Sequence, residues 1–188
     1  MRLIEEAIFT REDFTINPLP TAEYDNCTFN GCNFNAASLN GAVFTQCRFE
    51  DCNLSNAKTS GIAFKEVVFI NCKLLGVQFS TCNAFLFAVG FEGCYMQLAS
   101  FYKMKLKGTR FINCPLGDAD FTEAVLTNAV FKDCDLRNAL FENTILEKAD
   151  LRTATNYTID PESNRIKKAK FSREGLPGLL FKYNIDIE

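Results

Sequence analysis

Ala119-Asp120-Phe121-Thr122-Glu123-Ala124-Val125-Leu126-Thr127-Asn128-Ala129-Val130-Phe131-Lys132-Asp133 reads as three successive units of five residues. Each has a large apolar residue at its centre and Ala two places before it. The beat extends outward in both directions. Towards the N-terminus the centres run Phe9, Phe14, Leu19, Tyr24, Phe29, Phe34, Leu39, Phe44, Phe49 and Leu54, then Phe64, Phe69, Leu74 and Phe79. After one slip they resume at Phe91, Met96, Phe101, Leu106, Phe111 and Leu116 and continue through Phe121 to Leu151. A period of five fits neither a helix face nor a half-buried strand. It fits an all-β solenoid whose square coil takes one unit per side.

Four units make one coil, so residues twenty apart should stack. Sorted this way the centres fall into four columns of like residues. The first holds Phe9, Phe29, Phe49, Phe69, Phe91, Phe111, Phe131 and Leu151, and the third Leu19, Leu39, Thr59, Phe79, Phe101, Phe121 and Phe141. The second runs Phe14, Phe34, Leu54, Leu74, Met96, Leu116, Leu136; the fourth Tyr24, Phe44, Phe64, then Leu106, Leu126, Leu146. Coils about 4.8 Å apart would place these rings in offset overlap. Two places after the centre, Gly or Asn recurs, as at Gly31, Gly41, Asn56, Gly61, Asn71, Gly76, Gly93 and Asn128. These residues suit the positive φ of a type II turn, and coils lacking them are open to a different corner.

All nine cysteines (Cys27, Cys32, Cys47, Cys52, Cys72, Cys82, Cys94, Cys114 and Cys134) lie two places before a centre, the slot that Ala fills elsewhere. They are expected to be buried structural thiols rather than a metal or disulfide framework. The two extra residues of the slip lie within 83–90, which leaves open whether Phe85 and Phe87 turn inward or outward.

The expected organisation is an N-terminal cap and degenerate first coil over 1–23 and a β-helix over 24–154. A loop, a last unit at Ala169-Lys170-Phe171, a short α-helix and a tail follow over 155–188. The helix is expected within Ser172–Tyr183, and Ile185 and Ile187 alternate with acids in an extended tail.

The chain has 188 residues, a net charge of −3 and neither His nor Trp, which removes the commonest general base and metal ligand. No apolar run reaches membrane-spanning length, and Met1–Phe9 lacks the basic start and apolar core of a signal peptide. A cytoplasmic protein without cofactor, metal site or catalytic residues is expected. A hexapeptide-repeat acyltransferase would need a period of six and a His. An ice-binding rod would need a flat Thr array.

The units Ala119–Glu123, Ala149-Asp150-Leu151-Arg152-Thr153 and Cys52-Asn53-Leu54-Ser55-Asn56 resemble the A(D/N)LxX repeat of the pentapeptide-repeat protein family. That resemblance covers most of the chain and implies a right-handed quadrilateral β-helix. The slip and C-terminal helix look like the quinolone-resistance (Qnr-type) members, in which the helix makes a dimer and the acidic rod mimics DNA before DNA gyrase. By this resemblance Asp118, Asp120, Glu123, Asp133, Asp135, Glu142, Glu147 and Asp150 form the candidate acidic surface. Leu176, Leu179, Leu180, Phe181, Tyr183 and Ile185 form the candidate homodimer interface, their apolar surface exceeding what one coil end could cover. The implied partner is a protein, with no direct contact to nucleic acid or membrane. Lys103, Lys105, Lys107, Arg110 and the run Arg165–Lys170 interrupt the acidity. A general interaction scaffold is the alternative.

Overall fold

The computed structural model describes residues 1–85 and 87–186; Ile187 of the expected tail lies outside the described residues. The chain winds as a parallel β-solenoid. On the first side a seven-stranded parallel sheet stacks Ile8–Thr10, Thr28–Asn30, Arg48–Glu50, Val67–Ile70, Val89–Glu92, Arg110–Ile112 and Val130–Lys132. The register pairs Phe9 with Phe29, Phe29 with Phe49 and Phe111 with Phe131, as counting in twenties requires, and Phe69 with Phe91 once the two extra residues of the slip are allowed for. The fourth side begins as a four-stranded parallel sheet through Leu3–Glu5, Glu23–Asp25, Val43–Thr45 and Ala63–Lys65. Elsewhere single parallel bridges, such as Lys105 to Val125 to Ile145 to Arg165, hold the coils in step.

Inside, like stacks on like. First-column rings lie 4.6 Å apart at Phe29/Phe49 and 4.9 Å at Phe111/Phe131, nearly parallel; Phe101/Phe121 on the third side are 5.2 Å apart. Opposite columns meet edge to face, Phe121 and Phe131 at 5.7 Å and 90°. Each ring thus combines full burial, worth about 2–3 kcal/mol, with stacking worth about 1 kcal/mol more.

All nine cysteines are free and buried. Their sulfurs have a specific task. Cys47 Sγ donates to the Tyr24 carbonyl at 3.3 Å, Cys52 to Phe29 at 3.3 Å, Cys72 to Phe49 at 3.4 Å and Cys134 to Phe111 at 3.4 Å. Each acceptor is a centre residue of the coil below. Thr144 does the same to Phe121 O at 2.8 Å. Burial pushes the thiols of Cys47 and Cys82 up to about 12 and that of Cys32 to about 11, so they stay protonated and unreactive at neutral pH.

The slip resolves into two steps. Asn83 N donates to Ile62 O at 2.7 Å, leaving Cys82 twenty residues above Ile62. Ala88 N donates to Phe64 O, which sets Phe87 twenty-three above Phe64, while Val67 faces Val89, twenty-two above. Three residues are therefore added before Phe87 and one removed just after it. The two aromatics divide: Phe87 is buried edge-on against Phe64 and Phe79, filling the gap in the fourth column, and Phe85 is 74% exposed.

The expected Gly and Asn corners have φ between +51° and +73°. Corners without them do not change conformation; Gln46, Glu66, Lys103 and Leu98 sit in the same region. The reason is geometric, since the chain must turn at every side whatever residue is there. Leu98 is the costly case. At φ +61° it occupies the slot that Asn56, Gly76 and Asn138 fill in other coils, yet it is 58% exposed and gains little from packing.

At the far end the coil is carried on by bridges from Ile145 to Arg165 and from Asp150 to Lys170, around a detour that buries Tyr157 and Ile159. Asn164 supports the detour from inside, accepting from Thr144 N at 2.8 Å and donating to Phe141 O at 2.8 Å. The helix is shorter than expected: one α turn, Pro177–Leu180, then a 3-10 turn, Phe181–Tyr183. Gly175 and Gly178 explain this, because they bring the backbone against Tyr157 where a Cβ would collide. Ile159 N bonds to Gly178 O at 2.9 Å, and Lys182 clamps Asp160 at 2.7 Å and Glu162 at 2.6 Å.

Replacing Leu98 by Asn is expected to stabilise the rod by about 0.5–1 kcal/mol by relieving left-handed strain, raising Tm by about 1–4 °C; an unchanged or lower melt would refute that strain. Lys182 holds the carboxyls of Asp160 and Glu162 below their ordinary values. Depressed carboxyl pKa values stabilise above the unfolded value and lose that contribution as pH falls through the folded one. Amide exchange over 176–186 should therefore accelerate below about pH 4, and Lys182→Met should show the fast exchange already at pH 7.

Candidate interaction surfaces

In each unit the centre and the residue two before it point inward, leaving three outward places: one before the centre, one after, and the corner. The side on which each outward residue lies follows from its column. Asp118 stands on the edge between second and third sides, Asp120 and Glu142 on the third, and Glu123 on the edge beyond it. Asp133 and Asp135 lie at the start of the second side, Glu147 on the fourth and Asp150 on the first.

The structure thus gathers Asp118, Asp120, Glu123 and Glu142 and disperses the other four. Ion pairing divides them further. Arg152 grips Asp150 through two bonds of 2.9 and 2.7 Å and holds its carboxyl below the usual range. Arg165 lies 2.8 Å from Glu147, Lys103 3.5 Å from Glu123 and Arg137 3.9 Å from Asp135. Among the described residues no Lys or Arg lies within 4.0 Å of Asp118, Asp120, Asp133 or Glu142. Three of those four share the third side and its edge, where Asp120 also receives the backbone N–H of Thr122 at 2.9 Å.

Exposed apolar residues that the five-residue beat did not single out lie beside these acids, at Leu98, Tyr102 and Leu140, and on the adjoining second side, at Tyr95. Their sequence signal was available, since all four occupy outward places where polar residues are the rule. Tyr102 is tied into the acidic edge, its hydroxyl 3.2 Å from Glu123 and its ring 4.8 Å from the Lys103 ammonium.

The C-terminal residues also separate. Leu179 is buried as the plug over the detour, whereas Leu176, Leu180, Phe181, Tyr183 and Ile185 remain 37–55% exposed. Tyr183 is anchored through its hydroxyl to Glu162 at 2.9 Å, which fixes the patch to the rod.

The cations have a side of their own. Lys105, Lys107, Arg165 and Lys167 stand on the fourth side, Lys148 and Lys168 on its edge with the first, and Arg110, Lys132 and Lys170 on the first. The distal half is therefore polarised across its width, acidic on the third side and basic opposite the second.

Concavities are shallow. One groove of about 430 Å³ lies between the coil end and the C-terminal segment, lined by Arg152, Tyr157, Ser172 and Glu174. Its Arg152 is committed to Asp150, and its lining includes no cysteine to act as a nucleophile. Among the described residues no group of His, Cys, Asp or Glu is placed to hold a metal, and no helix is long and apolar enough to cross a membrane.

Two family descriptions match the sequence: pentapeptide repeat region over residues 42–111 and 84–181, and pentapeptide repeats (9 copies) over residues 4–58. No curated protein sequence matches it. Among solved structures, full-length QnrB1, a plasmid-mediated fluoroquinolone resistance protein, aligns with a TM-score of 0.54 and 19% identity, covering 97% of this chain and 100% of its own. HetL, from the cyanobacterium Nostoc sp. strain PCC 7120, aligns with a TM-score of 0.63 and 16% identity, covering 93% of this chain and 88% of its own. Its solved structure describes it as involved in heterocyst differentiation regulation. At these identities the likeness is one of fold. The repeat matches, the square coil and its stacked centres establish that the chain belongs to the pentapeptide-repeat family.

Proposed function

We propose that this protein is a non-catalytic, cytoplasmic interaction rod whose third side docks on a basic protein groove. Its partner is a type II topoisomerase, DNA gyrase, which it approaches as a DNA mimic. The observation that carries it is the grouping of Asp118, Asp120 and Glu142, unpaired and projecting from neighbouring coils, beside Leu98, Tyr102 and Leu140. Unpaired carboxylates keep their field for a partner, and aromatic or aliphatic anchors supply desolvated contact that charge alone does not. The strain accepted at Leu98 accords with a residue retained for contact rather than for folding. The likeness to QnrB1, described as a fluoroquinolone resistance protein, favours gyrase as the first partner to test. HetL, with the same coil and a different described role, keeps a general scaffold as the second reading.

The C-terminal patch completes the proposal. Leu176, Leu180, Phe181 and Tyr183 lie at the end of the rod, and association about a two-fold axis would cover them with their counterparts.

In gyrase supercoiling assays, the protein is expected to alter activity or quinolone sensitivity. Asp118→Lys with Asp120→Lys should weaken that effect at least tenfold, whereas Asp150→Asn should leave it within about twofold. No effect of the unaltered protein at several-fold molar excess would end the gyrase reading and leave the scaffold. Sedimentation should show a dimer, and Leu180→Glu with Phe181→Glu should give a folded monomer; a monomeric parent protein would refute the two-fold contact.

A further inference from the structure

The basic side is as organised as the acidic one, and nothing in the fold requires it. Four outward rows run up the fourth side and its edge with the first. They read Lys105, Val125, Ile145, Arg165; Lys107, Thr127, Glu147, Lys167; Gly108, Asn128, Lys148, Lys168; and Arg110, Val130, Asp150, Lys170. Cations therefore concentrate in two bars, Lys105/Lys107/Arg110 on one coil and Arg165/Lys167/Lys168/Lys170 three coils further on. Three coil rises place the bars about 14 Å apart. Between them lies an uncharged saddle of Val125, Thr127, Asn128 and Val130, then a coil where Glu147 and Asp150 are neutralised by Arg165 and Arg152 and Lys148 stands at the corner below Lys168.

Lys105, Lys107, Arg110, Lys148, Lys167, Lys168 and Lys170 are all exposed, and none has a carboxylate within 4.0 Å among the described residues. They contribute no ion pair to the rod. Lys148 and Lys168 even sit at φ +59° and +60°, at a corner that Gly108 and Asn128 serve in the coils below. A net charge of −3 conceals this, because the unpaired acids of this half of the rod, Asp118, Asp120, Asp133 and Glu142, lie on other sides.

We infer that this side binds duplex nucleic acid through its phosphates. A duplex presents two phosphate rows flanking a groove about 6 or 12 Å wide, and two cationic bars about 14 Å apart with a neutral saddle can engage both rows at once. An isolated single strand would engage one bar only. Recognition would be of backbone and not of bases, since no long side chain projects from the saddle. This inference is independent of the acidic-side reading, and it departs from the expectation that the protein makes no direct contact with nucleic acid. The rod could hold a basic protein on its third side and a duplex on the opposite edge at the same time.

The experiment is fluorescence anisotropy of a labelled 25-base-pair duplex titrated with the full protein, without any topoisomerase. Engagement of about four to six phosphates predicts an affinity that falls about 10²–10³-fold between 50 and 200 mM salt. Lys105→Glu with Lys107→Glu, and separately Lys167→Glu with Lys168→Glu, should each lower affinity at least tenfold and flatten the salt dependence by about two phosphates. Lys58→Glu, on the third side, should change nothing. Circular dichroism confirms that each variant is folded. No duplex binding at 50 mM salt would overturn the inference, as would binding that survives both paired reversals. A single strand bound as tightly as the duplex would overturn the two-bar geometry.

Discussion

Every feature of this protein depends on one contact: an inward residue resting on its counterpart one coil away, with the backbones parallel and in register. The backbone ladder sets the rise, and that rise matches the thickness of an aromatic ring closely enough for Phe29, Phe49 and Phe69 to stack almost parallel. Because each coil offers the next the same slot, the sequence needs only to keep its beat. The thiols follow from the same contact. A coil of this kind leaves centre carbonyls such as those of Tyr24, Phe29 and Phe49 facing inward, and Cys47, Cys52 and Cys72 answer them with an S–H that Ala lacks.

Regularity inside leaves the outside unconstrained, and there the rod differentiates. Acids, aromatics and cations occupy equivalent outward places, yet they segregate by side. Exposed ion pairs such as Arg152–Asp150 and Arg165–Glu147 add little stability. Their consequence is on the field, since they silence two acids on the basic side. The unpaired acids of the third side and the unpaired lysines of the fourth are left to act on partners.

Departures from the beat mark where the rod is specialised. At the slip, an addition before Phe87 and a deletion after it keep the fourth column filled while projecting Phe85. At the far end, the detour over Tyr157 and Ile159 replaces part of a coil and gives the glycines of the last segment a surface to lie against. Leu179 closes that surface, so its neighbours are left outside.

The sequence by itself determined the coil, its columns, the burial of all nine cysteines and the places of the corners. Each is a consequence of local period, and a strict five-residue beat admits one register. It did not decide between Phe85 and Phe87, because both steps of the slip conserve the net count of two and only inter-coil hydrogen bonds locate them. Nor did it decide how short the C-terminal helix is, because helical spacing of Leu176, Leu179 and Leu180 says nothing of the close approach that Gly175 and Gly178 make to Tyr157. The acids read as one surface because they are neighbours in sequence. The twenty-residue columns place Asp150 and Asp120 on different sides. Which acids are ion-paired is not in those columns, for a charge on this rod is neutralised by whichever long side chain reaches it from an adjacent unit or coil, and that is decided only when the coils are stacked.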